Sequence, residues 1–555
     1  MDRIQRVLAA ASVALVATVW MTACSEEPNT FTPEGGASPY AQTGVDLSAL
    51  GNDLWTDGSY WTPSVDFSQG QAFYFDPTAQ VSGDGALASP FRAFGIEAIS
   101  GTIIQRRDDG GTIVNPTAPV AEGDVCVLLG GNHGIVRLDE YVNNDYIGIV
   151  GMPGETAQFE FMLLRDCEKF FIQGLTAVET LRGDWPDPPQ GGNWPTDGWP
   201  TYGTGFDDGP FFIQVLPDKN ATQWSEDIII KDCVLRTASM TTADGWSDVG
   251  AGSDWYANAV GGIFTDRVDY VHIQGNLCEV VNYGVVPRWG EYINLRKNTV
   301  RYNCGDGFKI RGPKYAHIAN NFLVDFFPVD GVDPYVNHVD MIQVVGANPN
   351  GQTQYVKIER NRCFESSDGS RMLEGIFAGI QFSQGDHDPT RFMDIDVFDN
   401  IVYMNRFGGI ISNAATRMSI YNNTVISANR ANESFPSATW IDFLEEETAG
   451  VVLDCDIVNN ITGGAPVSGD FMGNVTIAGN SRYGRDFTGA GFTNWVVNGP
   501  PLDQNVLLLK TSVNKDAGDL GLYAPYDFDH LLRNDGAPDR GAYEWKRFRP
   551  TEFPL

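Results

Sequence analysis

The chain has 555 residues and is strongly acidic: 37 Lys and Arg stand against 71 Asp and Glu, giving a net charge of −34. This charge repels nucleic acid and anionic membrane surfaces, so the sequence predicts no nucleic-acid partner. A negatively charged polymer is able to bind such a chain only at a local basic patch, through a bridging cation or at high salt.

The N-terminus has the pattern of a targeting segment. Arg3 and Arg6 precede an apolar run at 7–21 that is short for a membrane span. The tetrapeptide ending at Cys24 resembles the lipobox of bacterial lipoproteins, which implies cleavage before Cys24 and lipid on its sulfur. Residues 1–23 are then a lipoprotein signal peptide. The alternative is an ordinary secretory signal followed by an incidental Cys.

The next segment, 24–70, is predicted to hold the lipidated Cys and a flexible tether. Its first part, 25–45, is rich in Pro, Gly, Ser and Glu, a composition typical of linkers. These features predict an outer-membrane lipoprotein of the bacterial cell envelope, facing either the periplasm or the outside. The lipid anchor is its one expected membrane contact.

A short motif recurs through the middle of the chain: a strand, an Asn, a polar turn and a second short strand. The Asn residues are Asn276, Asn298, Asn321, Asn361, Asn400 and Asn423. Their spacing predicts one solenoid coil per repeat, with insertions in some coils. We expect the Asn amides to stack and bond from coil to coil. The seven Cys after Cys24 are odd in number and widely spaced, which favours buried thiols over disulfides or a zinc site.

Both ends of the body resemble those of bacterial secreted right-handed parallel β-helix proteins with the pectin-lyase fold. The start (74–99) is YFDPTAQVSGDGALASPFRAFGIEAI, which predicts a strand, a turn and a helix that caps the first coil. The end carries DAGDL (516–520) and GAPDRGAYEW (536–545). The resemblance implies an all-β fold, a single-stranded right-handed parallel β-helix at 71–545 with an N-terminal helical cap, and a C-terminal tail at 546–555. It is specific for fold rather than for activity.

One strand of each coil aligns by its Gly and apolar residues. The rows are YGVVPR (283–288), DGFKIR (306–311), DMIQVV (340–345), AGIQFS (378–383) and GGIISN (408–413). Strand alternation turns the fourth and sixth residues of each row outward. The alignment predicts that Arg288 and Arg311 are direct neighbours with Lys309 beside them. It also places Gln343 and Gln381 on the outward face, as substrate-binding candidates.

Three cations this close together need an offsetting negative charge. A bound uronate chain supplies that negative charge. β-Elimination from a uronate uses a cation beside the carboxylate and a base that removes the C5 proton. The alternative is a solvated ladder in which Arg288, Lys309 and Arg311 pair with local Asp residues.

The stretch 285–322 resembles the active-site coils of the chondroitinase B and alginate lyase family of β-helix polysaccharide lyases. That resemblance implies that Arg311 acts as the acid, that a Lys on the preceding coil acts as the base, and that Ca²⁺ neutralises the uronate carboxylate. The chain departs from the family at two positions. Arg288 stands where the Lys is expected, and Tyr283 stands where a calcium-binding Glu is expected. Lys309 is a substitute base, and Asp306 is the candidate Ca²⁺ ligand.

A second constellation lies in HVDMIQ (338–343). His338 and Asp340 are candidates for a general base with its orienting carboxylate, or for metal ligands. Asp306 and Asp340 hold the same position in adjacent rows, and paired carboxylates are what glycoside hydrolysis needs. An Asp at the start of a strand also commonly caps a turn.

Residues 181–206 interrupt the repeats with an insertion rich in Pro, Gly and Trp. Trp185, Trp194 and Trp199 have the flat faces that stack on sugar rings, so they are candidates for substrate binding. Equally, they would cover the flank of the solenoid.

These features predict a carbohydrate-active lipoprotein whose partner is a polysaccharide. The first hypothesis is a polysaccharide lyase that cleaves an acidic, uronate-containing polymer by β-elimination. The alternatives are a β-helix glycoside hydrolase using Asp306 and Asp340, a non-enzymatic glycan-binding or adhesion lipoprotein, and an epimerase.

Overall fold

The computed structural model describes residues 45–107, 111–178, 211–218, 224–237, 259–326, 339–346, 352–364, 373–380, 391–404, 408–413, 415–427, 440–443, 452–463, 472–482 and scattered positions between 512 and 542. This part of the chain is all-β and forms one 22-stranded and one 12-stranded sheet. The larger sheet turns a corner inside one long strand, β7 (Phe161–Gln173), whose halves pair with different neighbours. The solenoid therefore has three faces, which we call I, II and III in the order in which they follow one another along a coil that begins with the first half of β7.

Face I carries the candidate site. Its strands are the first half of β7 together with β4 (Ile135–Tyr141), β9 (Phe211–Leu216), β12 (Gly261–Asp266), β15 (Val285–Arg288), β18 (Phe308–Arg311), β21 (Val339–Gly346), β24 (Leu373–Ile380), β27 (Gly408–Asn413) and β30 (Trp440–Phe443). Each strand pairs in parallel with the strand one coil away.

Face II follows face I in each coil. Its strands are the second half of β7 together with β1 (Ala72–Phe75), β2 (Val125–Leu128), β5 (Ile147–Gly151), β10 (Ser225–Lys231), β13 (Val268–Gln274), β16 (Glu291–Arg296), β19 (Lys314–Ala319), β22 (Thr353–Glu359), β25 (Phe392–Phe398), β28 (Thr416–Tyr421), β31 (Val452–Val458) and β33 (Met472–Ala478).

Face III is made of short strands and closes each coil. They are β3 (Gly131–Asn132), β6 (Ala157–Phe159), β8 (Thr176–Ala177), β11 (Val234–Arg236), β14 (Leu277–Val281), β17 (Thr299–Asn303), β20 (Phe322–Val324), β23 (Arg362–Phe364), β26 (Ile401–Met404), β29 (Thr424–Ser427), β32 (Ile461–Thr462) and β34 (Ser481–Arg482). The solenoid predicted from the repeats and the parallel β-helix implied by the resemblance are both confirmed.

The core lies inside the coils and is built from stacked aliphatic residues. On face I, Ile342, Ile376 and Ile410 pair in register on successive strands, and all three are buried. β-Branched side chains fit a pleated, buried surface, and burying each one stabilises the fold by about 2 kcal/mol. The Cys residues in the described part of the chain are all buried free thiols, as predicted.

The Asn ladder is also confirmed, and it is longer than predicted. Each side-chain amide donates to the Asn oxygen of the next coil over 2.9 to 3.2 Å. Two members missed from the sequence, Asn460 and Asn480, extend the ladder. At the other end, the backbone N–H of Cys233 donates to Asn276.

Residues 45–70, which the sequence places in the tether, form a strap along the outer side of face II. The strap includes a 3₁₀ turn at Leu47–Ala49. It runs out along the solenoid axis as far as β22 and returns to β1. Its contacts in chain order are Asp53 with Lys231, Trp55 with Gln274, Asp57 with Arg296, Gly58 with Lys357, Tyr60 with Tyr315, Trp61 with Tyr270 and Phe67 with Phe171.

A buried polar chain lies beneath the strap. Arg296 donates from Nη2 to Nδ1 of His317 over 2.5 Å, and His317 donates from Nε2 to Glu359 over 2.5 Å. Because Nδ1 already accepts from a cation, the imidazole is neutral, and burial lowers the pKa of His317 to about 4. Burial by itself raises the pKa of Glu359. The hydrogen bond from His317 and the positive charge of Arg360 outweigh that effect and lower the pKa to about 2.

The N-terminal helical cap is not confirmed. The helix in this region, α1 (Phe94–Ile99), has six residues. The backbone N–H groups of Phe94 and Gly95 donate to His133, so α1 lies beside the start of β4. In the part of the chain that the structure describes, no helix is long and apolar enough to cross a membrane.

Candidate functional site

The predicted site residues that the structure describes lie on the outer side of face I, on β15, β18 and β21 and, for Asp306, just before β18. Arg288 pairs directly with Arg311, and Lys309 pairs with Gln343. Phe308 and Ile310 point into the core and are fully buried, so alternation along β18 sends Lys309 outward. The predicted alignment of these three strands is confirmed.

Three outward columns run across the coils of the site. The first column holds Tyr283, Asp306, Asp340 and Glu374; the second holds Phe264, Val286, Lys309, Gln343 and Phe377; the third holds Asp266, Arg288, Arg311 and Val345. Successive members of a column are separated by one coil, or about 4.8 Å.

Lys309 and Asp306 form the centre of the cluster. Nζ of Lys309 lies 3.0 Å from Oδ2 of Asp306, and the N–H of Asp340 donates to Oδ1 over 2.9 Å. Both side chains are buried. Burial raises the pKa of Asp306, while the Lys309 ammonium acts in the opposite direction.

Asp340 lies one coil further along the first column. It is fully buried, and Gln343 donates from Nε2 to its Oδ2 over 2.6 Å. Gln343 therefore orients a carboxylate. Asp340 pairs in register with Glu374 on β24, which extends the run of acids in this column.

Arg288 is held by aromatic and acidic neighbours. Its guanidinium carbon lies 4.4 Å from the centroid of Trp289 and 5.6 Å from that of Phe264. Its Nε lies 3.8 Å from Oδ1 of Asp266. Burial raises the pKa of Asp266, and Arg288 and Arg267 both oppose that rise. Cation–π contacts of this kind fix a guanidinium in place without neutralising it.

The cluster is not the basic ladder that the rows suggested. Among the described residues on the outer side of face I, from β12 to β24, four cations lie beside four carboxylates: Arg267, Arg288, Lys309 and Arg311, and Asp266, Asp306, Asp340 and Glu374. The negative charges of local Asp and Glu side chains thus offset the positive charges. This is one of the two alternatives that the sequence leaves open, the other being a bound uronate chain.

The predicted alignment of the fourth row is wrong. On β24 the residues in register with β21 are 374–379, so Phe377 rather than Gln381 stands next to Gln343. A strand has a period of two, and a shift by four residues keeps every side chain on its face. The sequence pattern therefore fits both rows equally well.

Several candidates lie outside the described residues. They are His338, Gln381, Trp185, Trp194, Trp199 and the lipidation site Cys24. Sequence reasoning in turn missed Asp266, Glu374 and Trp289. The row GGIFTD (261–266) has the same glycine and apolar pattern as YGVVPR, and aligning it would have placed Asp266 beside Arg288.

The described residues do not fit a Ca²⁺ site. Among them, no group of three or more His, Cys, Asp or Glu side chains is placed to hold a metal ion. Both carboxylate oxygens of Asp306 are engaged, one by Lys309 and one by the backbone of Asp340. We therefore derive no step through calcium.

Comparisons with known proteins add a few distant likenesses in structure. No protein-family model and no curated protein matches the chain. Solved structures that resemble it include pectate lyase Pel9A, with 11% identity over 90% of this chain and 100% of that one, at a TM-score of 0.36. PfbA, a surface adhesin of Streptococcus pneumoniae, has 8% identity over 66% and 77% at 0.35. A rhamnogalacturonan lyase has 12% identity over 80% and 97% at 0.28.

At TM-scores this low, these structural similarities do not indicate an activity for this chain. The strand register defines this chain as a parallel β-helix protein. Its function has to be argued from the outer side of face I.

Proposed function

We propose that the outer side of face I binds an acidic polysaccharide and cleaves it by β-elimination. One observation carries the proposal: Arg288 and Arg311 stand in register on adjacent strands, with Lys309 on the same outer side of β18. Two neighbouring guanidinium groups match the geometry of a carboxylate. A general base lies next to them.

The roles follow from the chemistry of the side chains. Arginine stays charged, so Arg288 and Arg311 suit binding of the uronate carboxylate and stabilisation of the enolate. Proton transfer then falls to Lys309. The C5 proton passes to Nζ, the C4–O4 electron pair leaves with O4, a C4–C5 double bond forms, and O4 takes a proton from the new ammonium.

Asp306 has a supporting role in this scheme. It holds Lys309 in place, and its raised pKa brings its proton affinity toward that of the amine. A proton exchanged within the pair leaves Lys309 neutral and able to act as a base. Asp306 is therefore a positioning residue rather than a metal ligand.

Near-ultraviolet absorbance tests the proposal. The full chain is incubated with alginate, pectate, chondroitin sulfate, dermatan sulfate and ulvan, each with calcium and with chelator. We expect absorbance from unsaturated uronates, abolished in Lys309→Gln and Arg311→Gln. Lys314→Gln is the matched control, because Lys314 pairs with Glu291 on face II, 3.1 Å away. An unchanged rate in Lys309→Gln would overturn the assignment.

A glycoside hydrolase is the second candidate. Asp306 and Asp340 are adjacent buried carboxylates, and burial raises the pKa of Asp306, as a general acid requires. This function predicts new reducing ends without unsaturated products, lost in Asp340→Asn. Binding without either product would favour an adhesion protein.

The envelope assignment belongs to the same proposal and rests on the sequence around Cys24. Metabolic labelling with a fatty acid tests it. Label should enter the wild-type chain and be absent from Cys24→Ser; label retained in the variant would contradict the anchor.

A further inference from the structure

Two outward columns of face II lie where the strap passes. One column holds Ile229, His272, Asn294, His317 and Lys357, and the other holds Lys231, Gln274, Arg296, Ala319 and Glu359. An outward side chain of a β-helix faces solvent unless another segment of the chain covers it. His272 and His317 have no exposed surface, so another segment does cover them.

The strap covers these columns largely with its backbone. The N–H of Trp55 donates to Oε1 of Gln274 over 2.7 Å, and Nε2 of Gln274 donates to the carbonyl of Asp53 over 3.1 Å. Two coils of face II are crossed in this way, because Nη2 of Arg296 donates to the carbonyl of Asp57 over 2.7 Å. Backbone groups of the strap therefore complete the hydrogen bonding of side chains on face II.

Gly58 of the strap lies directly over His317. Its φ is +72°, and a Cβ added there would come within 3.0 Å of Cε1 of His317 and 3.5 Å of Oε1 of Glu359. Glycine lets the backbone approach the ring this closely, and a larger residue would push against it. The strap thus seals His317 from water, and a change in the hydrogen bonds of His317 acts directly on the strap.

Both histidines are neutral in the closed structure. Nδ1 of His317 accepts from Arg296, and its Nε2 donates to Glu359. Nε2 of His272 donates to Gln274 over 3.0 Å, while its buried Nδ1 has no hydrogen-bond partner among the described residues. Burial is the first cause that lowers the pKa of each imidazole to about 4.

The charged groups that face the histidines are mainly cations. They are Lys231 on β10, Arg296 on β16 and Lys357 on β22. Glu359 on β22 is the carboxylate that faces His317, and it also pairs with Arg360. Lys231 pairs with Asp53 of the strap and with Asp232. A proton on either imidazole therefore adds positive charge to a row that is already cationic.

Protonation is incompatible with the closed arrangement. An imidazolium carries N–H groups on both nitrogens, so His317 no longer accepts from Arg296 and two cations face each other. At His272 the new N–H has no acceptor, and a buried charged donor without a partner is unfavourable. Lifting the strap returns both rings to water, where the imidazolium is stable up to its usual pKa of 6.5.

We infer that the strap is a latch that acid releases: on acidification it leaves face II and uncovers His272 and His317 while the coils remain folded. The coils are held by an aliphatic core and by the amides of the Asn ladder, neither of which titrates. The uncovered face then carries Lys231, Arg296 and Lys357 beside two imidazolium groups. This inference does not depend on the proposed function, because the candidate site lies on face I.

Hydrogen exchange of the full chain, followed by mass spectrometry at pH 7 and pH 5, tests the latch. Rates are expressed as protection factors, which remove the intrinsic effect of pH on exchange. A ring with a pKa of about 4 under the strap and 6.5 in water shifts the opening equilibrium by about 20-fold between these pH values. Both rings together should lower the protection of residues 45–70 by about 400-fold. Strand β18 should remain protected at both pH values.

Histidine variants give the matched test. His272→Gln and His317→Gln each keep a hydrogen-bonding side chain without the titrating ring, so each should remove about 20-fold of the pH effect on the strap. His133→Gln is the control, because His133 is a buried histidine that accepts from Phe94 of α1 rather than contacting the strap. Its strap should respond to pH as the wild type does.

Two outcomes in the wild-type chain would overturn the inference. One is strap protection that is equal at pH 7 and pH 5. The other is loss of strap protection together with that of β18, because the whole solenoid would then unfold instead of the latch. The wild-type profile decides the question even where a histidine variant fails to fold.

Discussion

The Lys309 ammonium lies 3.0 Å from Oδ2 of Asp306, and the remaining oxygen of Asp306 accepts from the backbone N–H of Asp340. Lys309 on β18 and Asp340 on β21 are therefore joined through one buried carboxylate. A base that acts from this position depends on its partner, because burial raises the pKa of the Asp306 carboxyl and so lets it take the proton of the ammonium.

The pH dependence of Asp306→Asn tests that relationship. Without the carboxylate, Lys309 has no buried partner to take its proton and must lose it to solvent, so the acidic limb of activity should move to higher pH while kcat falls through poorer positioning. The measurement is kcat/KM against pH on a cleaved polymer. If Asp306 is instead a general acid of a hydrolase, the variant loses activity at every pH.

Among the polar features of the fold, the Asn ladder should be the most sensitive to substitution. Asn321 accepts from the backbone and side chain of Asn298, and donates to Leu295 and Asn361. Asn321→Leu leaves several of these buried groups without partners, which predicts a loss of about 2–4 kcal/mol in the free energy of unfolding.

Urea unfolding measures the effect, and a terminal member of the ladder provides the control. Asn480 is half-buried, with no coil of the ladder beyond it among the described residues. Asn480→Leu should cost about 1 kcal/mol. Equal losses at the two positions would argue against a cooperative ladder.

The repeat predicted much of this architecture because it is periodic. Asn276 through Asn423 and the pairing of Arg288 with Arg311 follow from aligning equal positions on successive coils, and both are confirmed. Alternation alone cannot choose between two alignments that differ by an even number of residues. The sequence therefore predicts Gln381 beside Gln343, where the structure has Phe377.

The strap could not be predicted from the sequence, for a different reason. Two of its partners on face II, Arg296 and Gln274, lie more than 200 residues away along the chain. No local pattern links them to 45–70. The carboxylates Asp266 and Glu374 were missed because their rows were not aligned, although the repeat extended to both.

A buried ion pair near the C-terminal end predicts a large effect on stability. Arg533 donates from Nη2 to Oδ1 of Asp399 over 2.9 Å, and neither side chain is exposed. Arg533→Ala leaves a buried carboxylate without its cation, which predicts a loss of about 3–5 kcal/mol at neutral pH.

The pH dependence of this variant has a defined sign. Burial raises the pKa of Asp399, with Arg533 opposing the rise. Loss of Arg533 raises it further, so the folded state binds more protons than the unfolded state, and stability falls as pH rises above about 4. Urea midpoints at pH 5 and pH 8 test this, and Asp399→Asn combined with Arg533→Ala should remove the pH dependence.

His317 predicts a separate loss of stability in mild acid. Its folded pKa is about 4 and its unfolded value is 6.5, because burial and the Arg296 cation disfavour the imidazolium. Between those values the unfolded state binds the extra proton, so stability falls as pH drops from 6.5, by about 3 kcal/mol at pH 4. The lowered pKa of Glu359 also stabilises the fold. This contribution is lost at lower pH, as the pH falls from 4.5 toward about 2.

Unfolding by urea at pH 7 and pH 5, followed by tryptophan fluorescence, measures the His317 effect. Trp55 and Trp61 lie in the strap that covers this chain of groups, so their signal reports its release. His317→Gln removes the titrating group and should flatten the pH dependence by one proton. His272, whose folded pKa is also about 4, retains its own contribution, and His272→Gln should flatten the dependence by a further proton. An unaltered slope in His317→Gln would show that the imidazole is already charged in the folded protein.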